Sequence, residues 1–392
     1  MAPLNSRSSP LPVVTEHIRV FDLPELARKA EHDRDRFPVI PISRLRADAQ
    51  AANPHATKDH VGLILAKKGD SCLGFMGIMP VPFASPANRS TIYILTTLFM
   101  EPSLRGTGAA AKMVESALSL GLDLYSVGNS KAAERFFPKV NGVRCPTYES
   151  ITIPINPGAS IGRLTSLAKK SMRRIGRPGW QSAFGAAGEL ALEGVTPIRK
   201  LGARRFKSKF TNGKPPLNFR AVTQLTEGVS RPTNKDSTRQ EWTASTINWM
   251  LRYPWYVNDK WGMFGDSYHF AHSQDGFTYL AFEEASGKNE DKGFAVFLFR
   301  VRRGQRTLTL MPYRIGSGQN RELLAFAFQI AGQVGADILQ VGGEFQADID
   351  EAKIDFHKEP RVSFYWPAEN SIFSKNTHPF EEEFTDGDIA FY

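Results

Sequence analysis

The sequence has little cysteine, with only Cys72 and Cys145 among 392 residues. No CxxC pair is present, and neither cysteine stands at a metal-ligand spacing from a histidine. Disulfide-stapled proteins and Cys-based zinc sites need several cysteines at short intervals, so both classes are excluded. The low count fits a protein of a reducing compartment.

Long apolar runs are also absent. No stretch of about 18 apolar residues occurs, and residues 1–12, rich in Ser and Pro, lack the apolar centre of a secretory signal. We therefore expect a cytoplasmic protein that does not span a membrane. Hydrophobic residues make up 41% and charged residues 23% of the chain, close to the averages of soluble globular proteins, which excludes wholesale disorder.

Basic charge is concentrated in one segment. The net charge is +9, whereas residues 161–214 hold thirteen Lys and Arg against two Glu, a local +11 that leaves about −2 for the rest. Apolar residues recur there at three- and four-residue steps, which predicts a basic amphipathic helix. Three interpretations stay open: a solvated linker helix packed on one domain, contact with an anionic membrane surface or acidic polymer, and, least favoured, binding of nucleic acid. The periodic residues are Ile161, Leu164, Leu167, Ala168, Met172 and Ile175.

One order of predicted elements occurs twice along the chain. A strand ending near Met100, a helix at 107–120 and a strand at 122–127 are repeated as a strand, helix and strand at 306–311, 319–334 and 336–342. The offset of 214 to 219 residues indicates one architecture used twice. We therefore predict a mixed α/β (α+β-like) protein whose two domains each have a mixed sheet flanked by helices. The predicted division is a flexible tail at 1–14, a first domain at 15–157, a basic helical linker at 158–216 and a second domain at 217–392.

One strand-to-helix turn has the features of an anion-binding loop. The apolar strand ends before Pro102, Gly106 and Gly108 allow a tight turn, and an alanine-rich helix follows. Backbone N–H groups that converge at a helix N-terminus favour a phosphate or diphosphate. Neither GxxxxGK[ST] nor GxGxxG is present, so a P-loop and a dinucleotide fingerprint are excluded. An ordinary strand–turn–helix is the alternative.

The same turn resembles the acyl-CoA diphosphate loop of the GNAT superfamily of acyltransferases. That loop has Arg or Gln, two residues, Gly, one residue, then Gly or Ala, and Arg105, Gly108 and Ala110 satisfy this spacing. The resemblance covers residues 15–150, and the second half looks like a degenerate copy. Further matches are Asn53 and Pro54 upstream, and Asn129, Ala133, Phe136, Lys139 and Gly142 downstream, in a last-helix motif one residue longer than usual.

The resemblance implies two tandem GNAT-like domains, with acetyl-CoA or another acyl-CoA as co-substrate. The pantetheine arm would lie in an opening between the fourth and fifth strands. Its contacts would be Leu98, Phe99 and Met100, the diphosphate would lie on Arg105, Gly106, Thr107, Gly108, Ala109 and Ala110, and Asn129 and Phe137 would complete the site.

Two proton-handling positions depart from the family's pattern. No acidic residue stands near Thr96 or Thr97 on the fourth strand, and Phe137 replaces the usual tyrosine of the last helix. Catalysis would then use water or residues of the second half, or would be lost. Thr97 is a candidate for hydrogen bonding to a substrate or water, and Asn129 for holding the thioester carbonyl or a backbone turn.

Residues 311–319 stand where the second half would have its phosphate loop. They keep two glycines but lack the Arg/Gln-x-x-Gly-x-Gly/Ala spacing. We expect this copy not to bind CoA and to complete the acceptor pocket instead, with Met311 in the core.

Three other groups of residues are candidates for a function. His55 and His60 either line the acceptor cleft or are incidental. Asp266, His269 and His272 lack another firm ligand, so no metal site is expected. The aromatic residues Trp249, Tyr253, Trp255, Tyr256 and Trp261 favour core packing over stacking on a sugar or an acyl chain.

Together, these features predict a GNAT-type N- or O-acetyltransferase that moves an acetyl or other acyl group to an amine or hydroxyl. The acceptor would be a small molecule or a glycan, because the chain resembles two-repeat members associated with exopolysaccharide production. The basic segment 161–214 would suit a peripheral position at the inner face of the membrane. Two alternatives remain: aminoacyl transfer from tRNA, as in Fem-type relatives, and a non-catalytic acyl-CoA-binding scaffold or sensor.

Overall fold

A computed structural model describes most of both halves of the chain. The basic segment 161–214 lies outside it except for 206–210, so the predicted amphipathic helix is not among the described residues. The described residues are 12–84, 89–126, 129, 131–145, 148–155, 206–210, 217–227, 239–240, 242–253, 257–258, 272–273, 276–285, 292–302, 305–316, 318–369 and 371.

The first sheet collects six strands of the first half, β1 to β6, and two short strands from the second half. Its order is β1-β2-β3-β4-β5-β17-β6, with β9 paired to the end of β3. Strand β1 begins two residues inside the segment predicted as a tail. The strands are β1 (Val13–Arg19), β2 (Val61–Lys68), β3 (Ser71–Ala84), β4 (Arg89–Met100), β5 (Leu124–Ser126), β6 (Val143–Arg144), β9 (Arg239–Gln240) and β17 (Phe364–Trp366).

The second sheet has the same plan. Its order is β16-β7-β15-β14-β13-β12-β8. A separate pair joins β10 (Val257–Asn258) to β11 (His272–Ser273). The strands of the second sheet are β7 (Tyr148–Pro154), β8 (Phe219–Val222), β12 (Gly276–Glu284), β13 (Phe294–Arg302), β14 (Gln305–Arg314), β15 (Ile338–Gly342) and β16 (His357–Arg361).

Helices flank both sheets, so the predicted mixed α/β class with two mixed sheets is confirmed. In each half a helix joins the two strands that pair in parallel, β4 with β5 and β14 with β15. The labelled helices are α1 (Leu23–His32), α2 (Arg44–Ala51), α3 (Ala109–Leu118), α4 (Lys131–Phe136), α5 (Ala244–Arg252), α6 (Asn320–Val334) and α7 (Gln346–Glu351). Residues 206–210 are also helical, and the rings of Phe206 and Phe210 stack on Phe328 of α6.

The two sheets exchange one strand each. Strand β17, from the second half, lies between β5 and β6 of the first sheet, and β7, from the first half, lies between β15 and β16 of the second. Each sheet therefore contains a strand from the other side of the predicted division into 15–157 and 217–392. The division itself stays a prediction, but neither sheet is complete without a strand from the other half.

A β-bulge interrupts both sheets at corresponding positions. In β4, Thr97 and Leu98 stand opposite the single residue Met76 of β3. In β14, Met311 and Pro312 stand opposite the single residue Val296 of β13. The two bulges are 214 residues apart, at the offset that the sequence pattern predicts.

The two halves share one core. A buried cluster joins Ala49 and Ile94 of the first half to Trp249 and Val296 of the second. The Trp249 indole is 6% exposed and donates to the Ala49 carbonyl at 2.7 Å. This contact is the core packing expected for the aromatic cluster, of which Trp255, Tyr256 and Trp261 lie outside the described residues.

The exchanged strand β17 contributes a large side chain to the first sheet. The Trp366 ring is 2% exposed, meets the Phe137 ring edge-on with centroids 5.0 Å apart, and its Nε1 donates to the Val140 carbonyl at 2.9 Å. Trp366→Ala should lower the free energy of unfolding by about 3–5 kcal/mol, because it leaves a cavity and an unpaired carbonyl. Urea denaturation measures this change.

Val143→Ala, on the neighbouring β6, provides the control. Val143 is 44% exposed, so its truncation should change stability by no more than about 0.5 kcal/mol. Equal effects of the two substitutions would show that β17 does not stabilise the first sheet. Faster amide hydrogen exchange in β5 of Trp366→Ala would locate the loss at the strand with which β17 pairs.

Candidate functional site

The loop between β4 and α3 is shaped by its own side chains. The Glu101 carboxylate accepts from the Ser103 amide at 2.7 Å and from the Ser103 hydroxyl. A single 3-10 turn, Pro102–Leu104, follows, and Leu104 is buried beneath the loop. The Thr107 hydroxyl donates to the Leu104 carbonyl at 2.7 Å. These contacts fix the path of the chain up to the start of the helix.

Two glycines give the loop its backbone form. Gly106 and Gly108 have φ of +79° and +82°, in the left-handed region that favours glycine. A Cβ at either position would meet nothing within 4 Å, and residues 105–108 are exposed. The loop is therefore open, and only Ala109 of the predicted diphosphate contacts is buried.

The amides at the start of α3 are available to a ligand. The Lys112 amide donates to the Gly108 carbonyl at 3.1 Å, so the N–H groups of residues 108–111 have no acceptor within the helix. The first turn has no acidic side chain, and Arg105 and Lys112 are exposed beside it. Helix dipole and side-chain charge both favour an anion here.

Strands β4 and β5 part soon after they meet. They pair only at Tyr93 with Leu124 and at Ile94 with Tyr125. Beyond this point no described strand pairs with that edge of β4, which includes the half-buried Leu98, Phe99 and Met100. The predicted opening between the fourth and fifth strands is present, and backbone groups of β4 line it.

Thr97 has a strained backbone at the bulge. Its φ is +50°, which is unfavourable for a β-branched residue. The Thr96 and Thr97 hydroxyl oxygens are 3.5 Å apart, and Nη2 of the buried Arg46 donates to Thr96 Oγ1 at 2.9 Å. The sequence points to Thr97 but not to Arg46 and its neighbour on α2, Gln50, because no pattern in it predicts α2 as a helix.

Asn129 is held by one side-chain and two backbone contacts. Its Oδ1 accepts from the Ser126 hydroxyl at 2.6 Å, and its Nδ2 donates to the Ser126 and Val362 carbonyls at 3.3 and 3.0 Å. Of the two roles considered for Asn129, these are the contacts of a backbone turn, and its role toward a thioester stays a prediction. Phe137 is 3% exposed and packs on Phe364 and Trp366, so its described contacts are those of a core residue.

The corresponding loop of the second sheet is occupied by its own side chain. Gln319 Oε1 accepts from the Gly316 amide at 2.8 Å. The first turn of α6 also contains an acidic residue, Glu322, which disfavours an anion. Met311 is 2% exposed and lies in the core, as expected.

The opening of the second sheet is bridged as well. Tyr313, at the end of β14, donates its hydroxyl to Glu344 Oε1 at 3.0 Å. The Tyr313 ring also lies 5.5 Å from that of Phe345, just after β15. In the second sheet, these side chains therefore join the ends of β14 and β15, whereas the corresponding strands β4 and β5 of the first sheet stay apart.

The two cysteines are not nucleophiles in this fold. Burial raises the pKa of the Cys72 and Cys145 thiols to about 12, so both are protonated at neutral pH. No metal-ligand cluster is present within the described residues. Asp266 and His269 lie outside the described residues, as does the side chain of His272.

The two histidines considered for the acceptor cleft have different neighbours. His55 Nε2 lies 2.8 Å from Thr246 Oγ1 of α5, across the junction of the two halves. His60 Nε2 lies 2.8 Å from the Tyr93 hydroxyl. Desolvation lowers the pKa of both rings, and Asp59 opposes this effect at His60.

Comparison with known proteins finds no protein family whose sequence profile matches the chain and no curated protein with significant sequence similarity. Among solved structures, the chain is similar to a GCN5-related N-acetyltransferase from Anabaena variabilis (10% identity, 90% of this chain and 72% of that chain, TM-score 0.46). A GCN5-related N-acetyltransferase from Kribbella flavida gives 9% identity, 90% and 71% coverage and a TM-score of 0.42. N-myristoyltransferase from Saccharomyces cerevisiae with bound myristoyl-CoA gives 10% identity over 92% of this chain and 80% of that chain, with a TM-score of 0.42.

Among the described helices, none has the length and apolar character needed to cross a bilayer.

His55 makes stability depend on pH. Since burial lowers its folded-state pKa from 6.5, the unfolded chain binds a proton first as the pH falls below this value. The free energy of unfolding should therefore decrease from pH 7.5 to 5.5, and His55→Gln should make this decrease smaller. Urea denaturation at several pH values measures it, and an unchanged slope in His55→Gln would contradict the assignment.

Proposed function

We propose that this chain is an acyltransferase that uses acetyl-CoA or another acyl-CoA and binds its diphosphate at the β4–α3 loop. One observation carries the proposal: the helix-start amides of this open loop have no intrahelical acceptor. Basic side chains flank the loop, and the first turn of the helix has no acidic one. The Arg105–Gly108–Ala110 spacing of the GNAT loop falls on these same residues.

The neighbouring strand supports the rest of the co-substrate. The edge of β4 at Leu98, Phe99 and Met100 has no strand partner on the β5 side among the described residues, so its backbone groups can pair with the amides of a pantetheine arm. An arm that runs from the loop along this edge would bring the thioester toward Thr97. The Thr97 hydroxyl would then be placed to hydrogen-bond a substrate or a water.

The proposed chemistry is the attack of an amine or hydroxyl on the thioester carbonyl. The new C–N or C–O bond forms, the C–S bond breaks, and the CoA thiolate receives the proton that the acceptor loses. The chain's part is to position the two reactants and to polarise the carbonyl. Neither cysteine is suited to a covalent acyl intermediate, because both thiols are buried and have a raised pKa.

For the acceptor we propose an amine or hydroxyl on a sugar, a polysaccharide precursor or another small molecule. The resemblance to two-repeat proteins of exopolysaccharide production motivates this part of the proposal, together with the +11 charge of residues 161–214. A cytoplasmic protein that reaches an anionic membrane surface through this segment would meet such precursors.

We further propose that only the first loop binds CoA. Gln319 already accepts from the Gly316 amide in the second loop, and the Tyr313–Glu344 hydrogen bond spans the second opening. A ligand there would have to displace both contacts, whereas the first loop needs no such change.

Gly108→Asp tests the loop directly. The carboxylate would stand where the diphosphate binds, so we expect acyl-CoA affinity to fall by at least about tenfold. The left-handed φ should cost about 1–3 kcal/mol of stability, which an Asp at the helix N-cap partly offsets. Isothermal titration with acetyl-CoA measures the affinity, and Gly108→Ala, which adds the strain without the charge, separates the two effects.

Gly318→Asp is the matched control in the second loop. Gly318 has φ of +76° and, like Gly108, open space around its Cβ position. The same charge and strain are thereby introduced beside α6, and acetyl-CoA affinity should stay within about twofold of the parent protein. Equal loss in Gly108→Asp and Gly318→Asp, or no loss in Gly108→Asp, would overturn the assignment of the loop.

A further inference from the structure

A buried polar cluster lies beneath the β4 bulge. Arg46 and Gln50 of α2 are 2% and 3% exposed, and Thr96 and Thr97 of β4 are 3% and 5% exposed. Arg46 donates to Thr96 at 2.9 Å. Polar side chains at this depth in a sheet need a structural or functional reason, because burying them is unfavourable unless they are hydrogen-bonded.

The bulge brings two consecutive hydroxyls to one face of the sheet. Side chains of a regular strand alternate between the faces, but Thr96 Oγ1 and Thr97 Oγ1 would lie 2.3 and 3.0 Å from a Cβ at Gly77. Both hydroxyls therefore point toward the space above Gly77. That space is free because glycine has no side chain. This face of the sheet is the one that α2 covers.

Gln50 adds an acceptor that is not satisfied. Its Oε1 is buried and has no hydrogen-bond partner among the described residues. Arg46 and Gln50 are four residues apart and thus neighbours on one face of α2, so the carboxamide lies one turn from the contact between Arg46 and Thr96.

The second half reaches the same part of α2. Trp249 donates to the carbonyl of Ala49, the residue before Gln50, and Thr246 meets His55 just beyond the helix. Along α2, Gln50 thus stands beside Ala49, which contacts α5 of the second half, and four residues after Arg46, which contacts Thr96 at the bulge. An acceptor held between the two halves would meet it.

We propose that Gln50 is an acceptor-binding residue, whose Oε1 receives a hydrogen bond from the N–H or O–H group that is to be acylated. This inference rests on the proposed acyl transfer and names the contact for the second substrate. The ligand group must be a hydrogen-bond donor, an amine or a hydroxyl, because Gln50 Oε1 is a carbonyl oxygen and can only accept. Thr96 and Thr97 supply further polar contacts, and Arg46 holds the Thr96 hydroxyl in place.

Gln50→Met tests the proposal through two readouts. The substitution keeps the length of the side chain and removes the unpaired oxygen. The melting temperature should therefore stay the same or rise by about 2 °C. Thiol release from acetyl-CoA, with the small-molecule fraction of a cell extract as the source of acceptors, should fall by at least about tenfold.

Ser150→Ala is the matched control. Ser150, on β7 of the second sheet, is 1% exposed, and its hydroxyl also has no hydrogen-bond partner among the described residues. Its removal should have a similar effect on the melting temperature and none on thiol release. A loss of activity confined to Gln50→Met then reflects the place of the side chain and not the removal of a buried polar atom.

Two results would overturn the proposal. A clear drop in melting temperature would show that Oε1 is already satisfied, for example by a fixed water, and undiminished thiol release would show that the acceptor does not use it. Acetyl-CoA affinity, which should be unchanged in Gln50→Met, separates this failure from that of the proposed function. If the unsubstituted protein binds acetyl-CoA but releases no thiol, both the proposed transfer and the role of Gln50 are wrong.

Discussion

The candidate site depends on how briefly β4 and β5 pair. Two residue pairs join these parallel strands before they separate, and the bulge at Thr97 and Leu98 follows at once on the β3 side of β4. Bulges bend a strand and increase its twist, so the end of β4 is free to turn away from β5. The open backbone edge, the outward path of the loop to α3 and the paired threonine hydroxyls all follow from this one irregularity.

The strand exchange supports this opening from the other side. Strand β5 has only three residues, and a strand of that length that pairs at one edge alone would be weakly held. Pairing with β17 gives it a second partner along its whole length, and the buried hydrogen bond from Tyr365 to Asp123, at 2.5 Å, fixes the register beside it. The position of β5, and with it the width of the opening, is therefore set by residues that lie more than 200 positions further along the chain.

This division between local and distant causes explains what the sequence could predict. The loop was predictable because glycine turn chemistry and an alanine-rich helix start are local signals, and Gly106 and Gly108 indeed have left-handed φ. The common order of strand, helix and strand in the two sheets was predictable from the sequence pattern, and the two bulges stand 214 residues apart, at the predicted offset. Helix α2 was missed, since its exposed and buried positions are both largely polar or alanine. The exchange of β7 and β17 could not be predicted from the sequence, because tertiary packing decides which sheet a short strand joins.

The two openings show how one plan can serve two purposes. The first loop spans residues 101–108 and the second only 315–319, so the second chain path is three residues shorter and returns to its helix sooner. The Gln319 side chain then accepts from the Gly316 amide of the loop, and the Tyr313–Glu344 hydrogen bond joins the ends of β14 and β15. In each of these contacts a group that could bind a ligand is paired with another group of the chain. This pairing stabilises the second half when no ligand is bound. The second half also contacts the helix over the first bulge, because Trp249 of α5 donates to Ala49 of α2, and Arg46 of α2 donates to Thr96.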